Sequence, residues 1–146
     1  MLVGMSAANL QGVLASTIDV DIWIGLPSRQ YMRVLKICNR LHATRRSSNK
    51  VYLVDGTPVD FIYEISGLRS FARELSEAKW LAFHGLKVPV LPLDRICRSK
   101  EAADRDKDKL HIALIHQVLR AKKKSKTVSS NRHDRCHSPG RASHHT

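Results

Sequence analysis

The feature that most constrains this chain is the alternating stretch STIDVDIWIG at residues 16–25. Every second side chain there is aliphatic: Ile18, Val20, Ile22 and Ile24. The side chains between them are Thr17, Asp19, Asp21 and Trp23. A period of two indicates a β-strand with two different faces. The aliphatic face requires a hydrophobic core, and the other face carries two carboxylates.

The two carboxylates call for a chemical explanation. Side chains at i and i+2 of a strand lie on one side, roughly 6.7 Å apart. Two negative charges at that spacing repel by about 2.5 kcal/mol at an effective dielectric constant near 20. A bound Mg²⁺ would relieve this repulsion, since Mg²⁺ prefers carboxylate oxygens and substrate phosphates. The simpler alternative is a solvated edge strand without a ligand.

A third acid follows the same pattern. In PVDFIYE, Val59, Phe61 and Tyr63 share one face, while Asp60 lies on the other with Ile62. If this strand neighbours the first, three acids on one open sheet face could hold two metal ions. On that hypothesis Asp19, Asp21 and Asp60 are metal ligands. Trp23 could stack on a base from the same face, but a packing role is an equal alternative.

The remaining patterns predict an α/β (α+β) domain with a small mixed β-sheet and helices packed on one face. A short helix is expected over residues 5–11, ended by Gly12, and a second after Ser28. KVYLV and PVDFIYE are predicted to form a hairpin around Asp55-Gly56. LKVPVLPL is expected to be extended, and the stretch that follows it is expected to be helical in two parts.

The chain of 146 residues with net charge +12 divides at Ala121. We expect one domain over residues 1–121 and a disordered basic tail over 122–146, which carries seven Lys or Arg against one Asp. KKKSK in this tail could contact nucleic acid non-specifically, or could simply be solvated. His133, Cys136 and His137 lack zinc-finger spacing and are not predicted to bind metal.

Composition also bears on the compartment. Three widely spaced cysteines imply no disulfide framework and favour a reducing, cytoplasmic location. The start of the chain lacks the basic residues of a signal peptide. No apolar run reaches the roughly 18 residues of a membrane span, so no membrane association is expected.

In combination, LVGMSAANLQG, TIDVDIWI, VDFIY and VPVLPLDRICRSKEAADRDKD resemble the nucleotidyltransferase superfamily with the DNA polymerase β-like fold. The resemblance covers residues 2–119 and is nearest to the small bacterial and archaeal nucleotidyltransferases, including those of toxin–antitoxin systems. It implies Mg²⁺ or Mn²⁺, a nucleoside triphosphate donor, and transfer of a nucleoside monophosphate to an acceptor hydroxyl of a protein, an RNA or a small molecule.

The same resemblance implies roles for particular residues. Asp19 and Asp21 match the paired metal-binding acids, and Asp60 matches the third acid, which also serves as the catalytic base. Gly4 matches the first position of the phosphate-approaching turn. Ser6 and Lys100 are the further candidates for nucleotide binding, and Asp108 falls with Lys100 in the family's downstream helix.

Two departures from the family pattern favour a different function. Met5 occupies the second position of the glycine turn, where it offers no hydroxyl to a phosphate. Ala15 precedes the paired acids where many relatives carry Arg. The alternative hypothesis is a catalytically impaired partner of the same fold, either an antitoxin-like protein or a nucleic-acid-binding module.

Overall fold

The structure, a computed structural model, describes residues 1–133 as one sheet with flanking helices. The strands are β1 (Leu2–Val3), β2 (Val20–Trp23), β3 (Thr44–Arg45), β4 (Lys50–Tyr52), β5 (Pro58–Ile62), β6 (Lys79–Phe83) and β7 (Leu86–Val90). The helices are α1 (Gly4–Leu10), α2 (Tyr31–Arg40), α3 (Phe71–Ser76), α4 (Leu93–Ala103) and α5 (Asp106–His133), and a 3₁₀ turn at Ser28–Gln30 precedes α2.

The seven strands form one mixed sheet in the order β3-β4-β5-β2-β1-β7-β6. The pairs β2–β5 and β1–β7 are parallel, and the other neighbours are antiparallel. The α/β class and the mixed sheet predicted from the sequence are therefore confirmed. The predicted hairpin is also present, since β4 pairs with β5 around Gly56, whose φ is +85°.

Because side chains alternate along β2, they contribute to two hydrophobic clusters, one on each face of the sheet. Val20, Ile22 and Ile24 pack with Val59 and Phe61 of β5. The helix α2 covers this face with its buried residues Val34, Leu35 and Cys38. The aliphatic face inferred from the sequence thus has the core that it requires.

The opposite face holds the larger cluster, built from β1, β7 and the helices α1, α4 and α5. Its fully buried members include Val3, Ala7, Val90, Ile96 and Ile115. Helices therefore flank the sheet on both sides, and among the described helices α2 covers the face of Val20 and Ile22.

Trp23 belongs to this larger cluster and is only 3% exposed. Its ring packs edge-on against Phe71 at a centroid distance of 5.5 Å, and its Nε1–H donates to the carbonyl of Tyr63 at 3.2 Å. Of the two alternatives for Trp23, the structure favours packing over base stacking.

Several elements differ from the sequence prediction. The strands β1, β3 and β6 and the short helix α3 are not predicted, because β1 and β3 are only two residues long and β6 and α3 contain little periodic apolar sequence. The segment expected to begin a disordered tail at residue 122 is helical as far as His133, because α5 continues through it. Ala121 and the following lysines are strong helix formers, and the Lys122 ammonium donates to the carbonyl of Gln11 at 2.7 Å. The rest of the predicted tail, including Cys136 and His137, lies outside the described residues.

Among the helices described, none combines the length and the apolar character that a transbilayer segment requires.

Candidate active site

A cavity of about 510 Å³ opens where β2 and β5 meet α1, α4 and the start of α5. Its lining brings together most of the residues that the sequence singled out. They are Gly4, Asp19, Asp21, Asp60 and Lys100, joined by Asn49, Glu64, Arg105, Lys107, Asp108 and His111. One wall is rich in carboxylates and the other in cationic side chains.

The carboxylate wall follows from the pairing of β2 with β5. Asp21 and Asp60 are direct partners in this parallel pair, so their side chains lie on the same face. Asp19 precedes the strand by one residue and lines the same cavity. The predicted convergence of the three acids is therefore present in the structure, although their predicted roles remain predictions.

The carboxylate of Asp21 is partly buried among other charged side chains. Burial raises its pKa, and the neighbouring charges of Asp60 and Asp19 raise it further. Lys100 and Lys50 counteract these effects only partly. An incompletely neutralised carboxylate cluster of this kind favours a bound cation.

Lys50 is a site residue that sequence reasoning missed. It lies on β4 directly opposite Asp60, and its Nζ is 3.2 Å from Asp60 Oδ2 and 3.9 Å from Asp19 Oδ2. Its pKa is raised, mainly by the hydrogen bond to Asp60. The sequence signal for Lys50 is the Asp55-Gly56 turn, because a tight hairpin turn fixes which residues face each other across it.

Gly4 shows why a glycine begins α1. Its φ is +63°, a left-handed conformation that disfavours side chains, and a Cβ at this position would collide with the Asp21 carboxylate. Met5 also lines the cavity. Ser6 is not among the described residues that line the cavity. Its hydroxyl donates to the carbonyl of Val3 at 3.1 Å and accepts from the Asp21 N–H at 3.4 Å. Ser6 thus supports the backbone beside Asp21.

The cationic wall is organised around Asp108 of α5, which is 1% exposed. Lys100 Nζ donates to Asp108 Oδ1 at 2.8 Å, and Arg105 Nε donates to Oδ2 at 2.6 Å. Burial alone would raise the pKa of Asp108, but these two hydrogen bonds outweigh it and lower the pKa. Asp108 therefore remains ionised and holds both cations at the edge of the cavity.

His111 completes this wall, with its Nδ1 3.5 Å from Lys100 Nζ. Burial, followed by the charge of Lys100, lowers the pKa of His111, so the imidazole is neutral at physiological pH. Sequence reasoning missed Arg105 and His111 as site residues, because their positions depend on how α5 folds back against α4.

Comparisons with known proteins show a distant structural likeness. No protein-family model matches the chain, and no curated protein matches it. A solved structure of a "putative nucleotidyltransferase" from Thermotoga maritima is similar to it with 17% sequence identity and a TM-score of 0.45. The alignment covers 89% of this chain and 81% of that one. The case for a function therefore depends on the residues of the cavity.

Proposed function

We propose that the protein is a Mg²⁺-dependent nucleotidyltransferase, which moves a nucleoside monophosphate from a nucleoside triphosphate to an acceptor hydroxyl. One observation carries this proposal: the three carboxylates at the paired strands β2 and β5 line the same cavity as the cationic side chains of Lys100, Arg105 and Lys107. The acceptor class is a protein, an RNA or a small molecule. Cys38 and Cys97 are both free thiols, which supports a reducing compartment such as the cytoplasm.

The donor set fits a hard divalent cation, Mg²⁺ or Mn²⁺. Asp19, Asp21 and Asp60 offer only oxygen atoms, and burial, followed by the charges of Asp60 and Asp19, raises the pKa of Asp21. These three residues would hold the metal. When bound, the metal would neutralise charge on the phosphates and promote attack at the α-phosphorus.

The chain's own residues supply the remaining requirements. Asp60, which is paired with Lys50 but is not deeply buried, would accept the proton of the acceptor hydroxyl. Gly4 lines the cavity, where its backbone N–H would donate to a phosphate, and its lack of a side chain leaves room for the Asp21 carboxylate. Lys100, Arg105 and Lys107 line the same cavity as the carboxylates, where cationic side chains would contact the phosphates of the nucleotide.

A specific observation favours a second candidate function, in which the protein is a non-catalytic partner of this fold. The Lys50 ammonium already pairs with Asp60 and Asp19, as a bound cation would. Together with Met5 and Ala15, this supports an antitoxin-like protein or a nucleic-acid-binding module. The resemblance to toxin–antitoxin nucleotidyltransferases is part of this second hypothesis.

The deciding experiment incubates the protein with each labelled nucleoside triphosphate and Mg²⁺ or Mn²⁺, with and without cell extract. Transfer of label is expected for the wild type and should be lost in Asp60→Asn, while much of the nucleotide binding remains because Asp19 and Asp21 are unchanged. Asp106→Asn is the matched control, since this carboxylate is 96% exposed and pairs only with Lys109 among the described residues. Equal label transfer in wild type and Asp60→Asn would contradict the role of Asp60. Absence of transfer with every nucleotide would favour the partner function.

A further inference from the structure

Cys97 and Glu101 of α4 and His116 of α5 form a compact group that we call the Cys97 cluster. Cys97 Sγ lies 3.2 Å from His116 Nε2 and 3.5 Å from Glu101 Oε1. The third separation, between His116 Nε2 and Glu101 Oε1, is 3.9 Å. None of the three residues is part of the cavity lining described above. The cluster therefore belongs to the crossing of the two helices and is separate from the carboxylate wall.

We propose that the Cys97 cluster is a binding site for one Zn²⁺ ion or a similar borderline-soft divalent cation. Tetrahedral zinc with ordinary Zn–S, Zn–N and Zn–O bonds separates its ligand atoms by roughly 3.3–3.6 Å. The sulfur–nitrogen, sulfur–oxygen and nitrogen–oxygen distances of the cluster are all close to this range. The three donor atoms therefore need only small side-chain adjustments to share an ion.

The positions of the three residues explain how the chain holds this arrangement. Cys97 and Glu101 are one helical turn apart, so both side chains project from the same side of α4. Among the described elements, α5 packs closely against α4, which places His116 opposite them. Cys97 is 4% exposed, whereas the side chains of Glu101 and His116 are about half exposed. An ion bound there would be reached from solvent and would keep a position for water.

The donor types distinguish this site from the cavity. Thiolate and imidazole ligands favour Zn²⁺ over Mg²⁺, whereas an all-carboxylate set favours Mg²⁺. Burial, followed by the hydrogen bond and the charge of Glu101, raises the pKa of Cys97 to about 11. The thiol is thus protonated in the free protein, and zinc binding must release this proton to solvent. An ion held by both helices would join α4 to α5, the helices that carry Lys100 and Asp108.

The test uses the full-length chain, freed of metal by a chelator and then titrated with Zn²⁺ and with Co²⁺ as a spectroscopic probe. We expect one equivalent to bind, a rise in melting temperature, and a thiolate-to-cobalt charge-transfer band. Cys97→Ser should abolish the band. His116→Gln and Glu101→Gln change half-exposed side chains and so test the site without disturbing the core. Each should weaken zinc binding at least about 100-fold, since even indirect partners of a metal site contribute 10–100-fold.

Two cysteine variants serve as controls. Cys38→Ser removes a buried thiol on α2, which is distant from Cys97 in the sequence. Cys136→Ser removes the thiol that lies outside the described residues. Both should retain the cobalt band and the zinc affinity. The proposal is overturned if no cobalt band forms, in which case the short distances are hydrogen bonds alone. It is equally overturned if the band survives Cys97→Ser or disappears in Cys136→Ser.

Discussion

At the scale of single residues, the environment of Asp21 explains several choices in the sequence around it. The carboxylate is partly buried beside two other acids, and the turn into α1 passes directly against it. Glycine at position 4 leaves the space that the carboxylate occupies. Lys50 supplies positive charge from β4, two strands away from β2. The site is thus built from local backbone geometry as much as from charged side chains.

Gly4→Ala tests this relation between backbone and carboxylate. The left-handed conformation at Gly4 predicts a loss of roughly 1–2 kcal/mol of stability on substitution. The new methyl group should also push the Asp21 side chain aside, because the carboxylate occupies that space. If the acids bind metal, Gly4→Ala should lose the rise in melting temperature that Mg²⁺ plus nucleoside triphosphate gives the wild type.

Gly85→Ala is the matched control for that measurement. Gly85 has a similar φ of +78°, but no atom lies within 4 Å of the position that a Cβ would take there. This variant should lose comparable stability, measured by thermal unfolding, and keep the ligand-induced shift. A shift that persists in Gly4→Ala would show that Asp21 is not required for the ligand.

At the scale of elements, α3 is joined to the rest of the domain by a buried ionic network. Glu74 of α3 is fully buried and accepts hydrogen bonds from the guanidinium groups of Arg69 and Arg95. Arg69 also pairs with Glu77, and Arg95 belongs to α4. Burial would raise the pKa of Glu74, but the hydrogen bonds from Arg95 and Arg69 lower it to about 2. The charged form of Glu74 therefore stabilises the folded state.

Glu74→Gln should reduce the free energy of unfolding by about 3 kcal/mol at pH 7, because it leaves two guanidinium groups without their shared carboxylate. The folded-state pKa lies below the ordinary value of 4.5, so the contribution of Glu74 is fully present above about pH 5. It is lost as the pH falls towards 2. Urea unfolding at a series of pH values should show the difference between variant and wild type shrinking over that interval.

Glu77→Gln is the comparison for this network, since Glu77 is half exposed and its loss leaves Glu74 in place. Its effect should be much smaller. A Glu74→Gln variant as stable as the wild type at pH 7 would show that the network does not contribute to folding.

At the scale of the whole molecule, the net charge of +12 should give the chain a general affinity for polyanions. Lys123, Lys124 and Lys126 are exposed on the C-terminal half of α5, whereas Lys122 is bonded to Gln11. If these three lysines contact phosphates, their replacement by Gln should reduce the slope of log affinity against log salt by about 2 for single-stranded RNA. Fluorescence anisotropy with a labelled RNA at several salt concentrations measures this slope.

Replacement of three exposed cationic residues elsewhere, Lys36, Arg40 and Lys87, provides the charge-matched control. That variant should keep the wild-type slope. Equal slopes for both triple variants would assign the affinity to overall charge and not to the C-terminal lysines.

The local sequence by itself determined much of the carboxylate wall. A period of two depends only on the backbone geometry of a strand. It therefore determined on which side of β2 Asp21 lies and on which side of β5 Asp60 lies. The Asp-Gly turn similarly determined the hairpin of β4 and β5. These features follow from nearest-neighbour conformational preferences, which the sequence expresses directly.

The tertiary structure alone decided which distant residues meet. Lys100 and Arg105 share Asp108, Glu74 joins Arg69 to Arg95, and His116 meets Cys97 only because α5 folds back along α4. Trp23 likewise became a core residue because α3 places Phe71 against it. Such contacts depend on how separate elements pack, and packing is set by the shape and apolar area of every surface involved. A short sequence pattern does not contain this information about packing.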